Sequence, residues 1–469
     1  MNSDKNIIYD YSIRGIITLG MLAITLTTFV SCKKFIEVDL PVNLLVKEKV
    51  FQDDRTANAA VLDLYGKYRS SGFSGGGING ISMMTALSSD ELTYLNNLVE
   101  NPFVSINENA ILPTNTSTGE IWNLAYQFIY GCNSLIEGVE KSTSLTPALK
   151  KQLLGEATFL RAFAHFYLVN LYGNIPYIST TDYELNTKVN RMEINIVYEL
   201  LIKDLEVAKD MLPTDYSSWG GQRSRLNKYA ASALLSRVYL YNAKYAEAEN
   251  EATMVIENQL YSLETLNNVF KIDNSEAIWQ LEAHPGNTST RDGQQFVNSQ
   301  MDQTLTSNLV NSFESADLRT QNWILQYGIA KYAPNKYKDG SSASSLTEAS
   351  TVLRLAEQYL IRSEARAMQN KLIGANSAAS DLNVIRNRSG LMNTVATTQA
   401  QLLTAIATER RHELFTEWGH RWFDLKRTGT ANTVLAPLKP DWTTTDQLYP
   451  IPLKEILINP NMTQNPGYN

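Results

Sequence analysis

Apolar positions recur at helical spacing along much of the chain, most regularly in Leu226–Glu257. There Ala230, Ala233, Arg237, Leu240 and Tyr241 share one stripe, with Leu234 and Val238 beside it. After polar Asn242–Lys244, a second stripe forms from Ala248, Ala252 and Val255. Small residues on both stripes allow two antiparallel helices to approach closely. A hairpin of this kind cannot bury its apolar face alone and must stack on others. The same period predicts helices over Ala57–Tyr68, from Trp122 to Ile136, and from Leu153 to Leu171 before Gly173-Asn-Ile-Pro176. A further helix is predicted over Glu193–Met211, and the period returns in Val352–Met368, Ala375–Asn387 and Ala400–Trp418.

Between Gln259 and Ser350 the pattern is mostly lost to Asn, Ser, Thr, Gln and Gly, with short strands predicted at Ala277–Glu282 and Trp323–Ala330. A polar stretch of this length is functional or disordered more often than it is a plain connection. The tail around Tyr449-Pro-Ile-Pro and beyond Asn459 reads as extended, because proline opposes helix. In the hairpin, Leu235, Ser236, Tyr239, Tyr245 and Ala248 resemble one tetratricopeptide repeat. The expected fold is mainly α: stacked tetratricopeptide-like hairpins, a loop-rich, ligand-facing excursion and a few short strands. Residues 1–31 read as a signal peptide and 32–469 as a single domain. Its helical scaffold spans about 50–258 and 351–430, the excursion about 259–350 and the extended tail about 431–469.

The N-terminus changes the picture. Lys5 and Arg14 precede a fifteen-residue apolar run, Ile16–Val30, that ends at Ser31-Cys32. Such a run is shorter than the ~20 residues of a membrane-spanning helix and suits a signal-peptide core. A cysteine after a small residue at its end resembles a bacterial lipobox, which makes Cys32 the expected lipid attachment. Cleavage there would leave the net charge at −7, since Asp4, Asp10, Lys5 and Arg14 cancel. Cys132 would be the remaining thiol, expected as a buried apolar residue in a helix; an exported chain without disulfides must rely on a large packed core.

Candidate chemistry is sparse. Net charge −7 and the lack of a basic block argue against nucleic acid as partner. The loop Ser70–Gly80 contains G-F-S-G-G, but a nucleophile elbow needs a strand before it and a helix directly after. No Gly-Lys-Ser/Thr closes the loop into a phosphate cradle. His165, His284, His412 and His420 are too scattered for a ligand set, and no calcium loop is visible, so neither metal nor cofactor is expected. The densest charged cluster is Glu409, Arg410, Arg411, Glu413, Glu417, Arg421 and Asp424. Glu413 and Asp424 could be a glycosidase acid–base pair. The interleaved arginines instead favour an ion-pair network that keeps the carboxylates ionised and pins the last helix.

Several segments together resemble the SusD/RagB family of surface nutrient-binding lipoproteins. Glu156-Ala-Thr-Phe-Leu-Arg-Ala-Phe-Ala-His-Phe-Tyr-Leu-Val-Asn-Leu-Tyr-Gly-Asn-Ile-Pro176 is similar to its long signature helix. Arg354-Leu-Ala-Glu-Gln-Tyr-Leu-Ile-Arg-Ser-Glu-Ala, Asn383-Val-Ile-Arg-Asn-Arg-Ser-Gly390 and Gly419-His-Arg-Trp-Phe-Asp-Leu-Lys-Arg427 follow in the family's order, as does Gln464-Asn-Pro-Gly-Tyr468. The basic pair Lys33-Lys34 departs from the acidic residues that surface export often favours after the lipid cysteine. The resemblance implies a lipid-anchored outer-membrane protein facing outside, partnered with a SusC-like TonB-dependent porin. Its implied ligand is an oligosaccharide, and its implied role is binding rather than catalysis. The alternatives are a helical glycoside hydrolase and a tetratricopeptide-type interaction scaffold.

Ligand contacts belong to no family motif and must come from the residues themselves. A sugar's flat C–H face stacks on an aromatic ring while polar neighbours hold its hydroxyls, so a large ring in a polar loop is a candidate. Three fit: Tyr94 near Asp90, Asn96 and Asn97; Trp219 in Ser-Ser-Trp-Gly-Gly; and Trp323 beside Gln321 and Asn322. The His284–Gln303 stretch is the next place to look.

Overall fold

The computed structural model describes residues 49–70, 73, 80–96, 98, 101–283, 287–297, 302–340 and 343–468. Cys32, the signal segment and most of the Ser70–Gly80 loop lie outside the described residues. The main helices are α1 (Asp54–Ser70), α2 (Ile81–Ser88), α3 (Thr116–Lys141), α4 (Pro147–Tyr172), α5 (Ile194–Met211), α6 (Lys228–Tyr241), α7 (Tyr245–Ile256), α8 (Leu355–Met368), α9 (Ala378–Arg388), α10 (Gln399–Leu414) and α11 (His420–Arg427). From α3 to α9 each packs on the next, and α10 returns onto α8 and α9, which is the stacked-hairpin arrangement expected.

Local chemistry sets the helix ends. The Asn115 side chain accepts from the Thr118 amide at 3.0 Å and Asn227 from Ala230 at 2.9 Å, filling donors that a first turn leaves open. Ser377 with Ser380 and Thr398 with Gln401 close capping boxes on α9 and α10. Gly173 ends α4 at φ +74°, and a Cβ there would lie 2.8 Å from Leu448, so both backbone and space require glycine.

α4 lies between α3 and α5 and also touches α1 and α6. From Gly155 to Val169 every residue is buried, so this part of the helix has no solvent face. Its polar groups are paired inside. Arg161 makes two bonds to Asp204, at 2.8 and 2.9 Å, and a third to Asn133 at 2.9 Å. His165 Nδ1 pairs with the Arg161 carbonyl, while Nε2 accepts from the Ile178 amide. Burial, aided by the Arg161 charge, pulls that imidazole down to about 3. Cys132 is a buried apolar contact in α3, as its sequence context indicated.

Six strands, β1 (Leu92–Tyr94), β2 (Ala277–Leu281), β3 (Gln303–Leu305), β4 (Ile324–Gly328), β5 (Lys331–Pro334) and β6 (Ser350–Arg354), form three antiparallel pairs among the described residues: β1–β3, β2–β6 and β4–β5. β2 and β6 are buried along their whole length, and Trp279 of β2 packs its ring edge-on against Tyr65, Phe159 and Phe163. β6 corrects the sequence reading at Val352–Arg354, taken there as the start of a helix. Ser350, Thr351, Leu353 and Arg354 find strand partners in β2, and the helix begins only at Leu355. A second correction falls at Ala400–Trp418. α10 stops at Leu414, because Thr416 and Trp418 take φ of +55° and +46° before α11 begins. The tail is also less extended than expected, with short helices at Ala431–Leu435 and Leu453–Ile458. Pro452 precedes the second, where a missing amide costs nothing.

α6 and α8 are joined by an ion pair at their buried faces. Arg237 Nε and Nη2 each donate to Glu357 at 2.6 Å, with both side chains 1% exposed. Truncating one member leaves the other charged and unpaired, so Arg237→Ala should lower unfolding free energy by about 3–5 kcal/mol in urea titrations. The double variant Arg237→Met/Glu357→Leu should recover most of that loss. Equal losses in the single and double variants would show that the pair does not fix the interface.

Candidate functional site

Trp219 is the sequence candidate that the fold sets on a cavity wall. A cleft of about 370 Å³ opens between the end of α1 (Leu62, Tyr65, Gly66, Arg69), the loop before α6 (Trp219, Gln222, Ser224, Arg225) and the end of β2 (Leu281, Glu282). The loop is fixed from below. Tyr216 is buried, and its hydroxyl meets the Ile278 carbonyl at 2.6 Å and the Tyr261 hydroxyl at 2.8 Å. The Asp215 carboxylate accepts from the Ser217 amide and hydroxyl, and a single 3₁₀ turn, Ser217–Trp219, lifts the indole. Gly220 and Gly221 follow at φ +67° and +86°, turning the chain back.

The half-buried Trp219 ring lies on the guanidinium of Arg225, 3.7 Å from its centroid. Arg225 is clamped in turn by buried Glu156 of α4, through contacts of 3.0 and 2.7 Å, and by Asn58 at 3.2 Å. The indole therefore rests on a platform tied to the buried part of α4. Trp219 Nε1 and Arg69 Nε have no hydrogen-bond partner among the described residues. An aromatic ring beside guanidinium, amide, hydroxyl and carboxylate groups can hold a polyol, stacking its C–H face and bonding its hydroxyls.

The other two rings are placed differently. Trp323 is fully buried, its indole donating to the Leu266 carbonyl at 2.8 Å and its ring 4.8 Å from Lys336 Nζ. Its polar sequence neighbours lie outside while the ring covers a buried cation, so it offers no face to a ligand. Tyr94 is 8% exposed, packs on Phe103, and its hydroxyl accepts from Asn101. Of its three expected neighbours, Asp90 is engaged by Arg411 and Arg421 and Asn97 lies outside the described residues. His284 and part of the stretch after it also lie outside them. Arg69, Gln222, Arg225 and Glu282 were not foreseen; only Gln222 and Arg225, a few residues past Trp219, carried a sequence hint.

The C-terminal charged cluster is a buried network. Glu413 accepts from Arg319 at 3.1 Å and from Arg354 at 2.6 Å, and it also pairs with Arg388. Burial alone would raise its pKa, but Arg388, Arg354 and Arg319 together hold the carboxyl well below the usual range. Asp424 is likewise held low, by Arg410 and Arg427 against its burial. Neither carboxyl keeps a proton for general-acid work, which removes the glycosidase pairing considered for them.

Family models match over both halves of the chain. One described as "Starch-binding associating with outer membrane" covers residues 80–240, and one described as "SusD family" covers residues 279–468. The SusD-like protein P2 of Formosa agariphila is 26% identical over 95% of this chain and 98% of its own length. A laminarin-binding SusD-like protein is 25% identical, with TM-score 0.74 over 89% of this chain and 100% of its own. A SusD-superfamily protein of Bacteroides vulgatus shares the fold with TM-score 0.78 at 21% identity, over 89% of this chain and 100% of its own. The chain belongs to the SusD/RagB family.

Next to the network, Glu91 is 3% exposed and accepts one bond, from the Thr416 amide. Burial pushes its carboxyl from 4.5 up to about 8. The folded state holds this proton more tightly than the unfolded chain, so the stabilisation is complete below about 4.5 and is lost as pH rises through about 8. Glu91→Gln keeps the neutral form at every pH. Melting temperatures of the parent should therefore fall relative to the variant across that window; parallel curves would place Glu91 in an ordinary ionised state.

Proposed function

We propose that this protein captures an oligosaccharide outside the cell, in the Trp219 cleft, and passes it to a SusC-like TonB-dependent transporter. Family membership and the laminarin-binding relative support glycan as the ligand class. The observation that carries the cleft as the place is Trp219, held on the Arg225–Glu156 clamp, with its own Nε1 and the Nε of Arg69 without hydrogen-bond partners among the described residues. The reading treats residues 32–469 as one ligand-binding domain, anchored in the outer membrane through lipid on Cys32 and facing outside. The outer-membrane wording of the family description supports that location.

Two measurements test these statements separately. A stacked ring contributes on the order of 1 kcal/mol beyond its buried area, so Trp219→Ala should weaken glycan binding roughly tenfold in calorimetric titrations. The variant must melt like the parent, and unchanged affinity would move the ligand away from this cleft. For the anchor, several acyl chains at ~0.8 kcal/mol per buried CH₂ hold a protein stably. Cys32→Ser should thus shift the protein from the membrane fraction to the soluble one in cells lacking the transporter, and retention there would refute lipidation.

A further inference from the structure

A second cavity, of about 480 Å³, lies between the C-terminal ends of α4 and α6, the start of α5, α11 and the tail. Its walls are amphipathic: Ile194, Phe423 and Leu448 are apolar, while Thr444, Thr445 and Gln447 supply hydroxyls and an amide. One cation stands on it without a counter-charge. Lys426 Nζ donates to the Asn170 carbonyl, lies 5.5 and 5.8 Å from the rings of Trp422 and Phe423, and pairs with no carboxylate among the described residues.

Its neighbours do not make up the deficit. Arg427 binds Glu364 at 2.5 and 2.7 Å and Asp424 at 2.7 Å, and Arg410 binds Asp424 at 2.7 Å. The two carboxylates are taken by the two arginines, which leaves the Lys426 charge unmatched at the cavity wall. Tyr241, also on that wall, has a buried phenol with no hydrogen-bond partner. Burial alone pulls the Lys426 amine down to about 7, the behaviour of a cation with no anion facing it.

We infer that this cavity is a second ligand site, selective for a sugar acid whose carboxylate meets Lys426 and whose ring lies against the apolar wall. Thr444, Thr445 and Gln447 are placed to bond the hydroxyls. The site shares no residue with the Trp219 cleft and does not depend on the function proposed for it.

The test titrates the mature protein with D-glucuronate, with D-glucose as its uncharged twin and with acetate as a carboxylate lacking the ring. Glucuronate should bind at least tenfold more tightly than either. Lys426→Met should abolish that preference, Thr445→Val should weaken glucuronate alone, and Trp219→Ala should leave it intact. Should Lys426→Met fail to fold, labelled-lysine NMR of the parent replaces it, with the Lys426 signal shifting on glucuronate but not on glucose. Equal binding of glucuronate and glucose, equal binding of acetate, or no saturable binding would overturn the inference. So would a Lys426 variant, or a Lys426 resonance, that does not respond.

Discussion

Glu413 is the point at which separate parts of the chain become one body. It projects from α10 and meets Arg319 of the excursion, Arg354 at the end of β6 and Arg388 at the end of α9. Arg354 and Arg388 continue to Glu276 beside β2, and Arg354 also reaches Glu417, which pairs with Lys336. These charges are far from water, where attraction is strong and an unpaired charge is very costly. The excursion is thus fixed by stoichiometry: removing one member strands the rest. That arrangement suits a chain with no cysteine between α7 and α8, where no disulfide can secure the long connection.

This constraint explains what the sequence could and could not disclose. Helical period depends on local spacing, so α5, α6 and α7 fall close to where the apolar stripes put them. β6 was misread because a strand buried on both faces has no alternation, and its partner β2 lies some seventy residues earlier. Trp323 was misread for a related reason. Polar neighbours suggested an open loop, yet its ring covers Lys336, whose burial follows from Glu417 at the far end of the chain. Charge pattern did better. Interleaved signs at Glu409–Asp424 pointed to an ion-pair network, but within that segment only Arg410 and Asp424 pair, while Glu413 is matched by Arg319, Arg354 and Arg388 from other elements. The candidate cleft was legible only at Trp219; Arg69 and Glu282 reach it from elements that spacing alone does not bring together.

The cleft and the scaffold are parts of one design. Arg225 stacks under Trp219 at one end and is clamped by Glu156 at the other, while Tyr65 of α1 both lines the cleft and packs on Trp279 of β2. A binding ring on a flexible loop would lose conformational entropy on capture, and a ring already stacked on a clamped guanidinium has lost most of it in folding. Glu156 belongs to the segment that resembles the family's signature helix, so the helix that organises the core also steadies the proposed site. Fold and function meet in one residue pair: α4 must be buried on all sides to hold Glu156 away from water, and only a carboxylate so placed fixes Arg225 rigidly enough to present the indole.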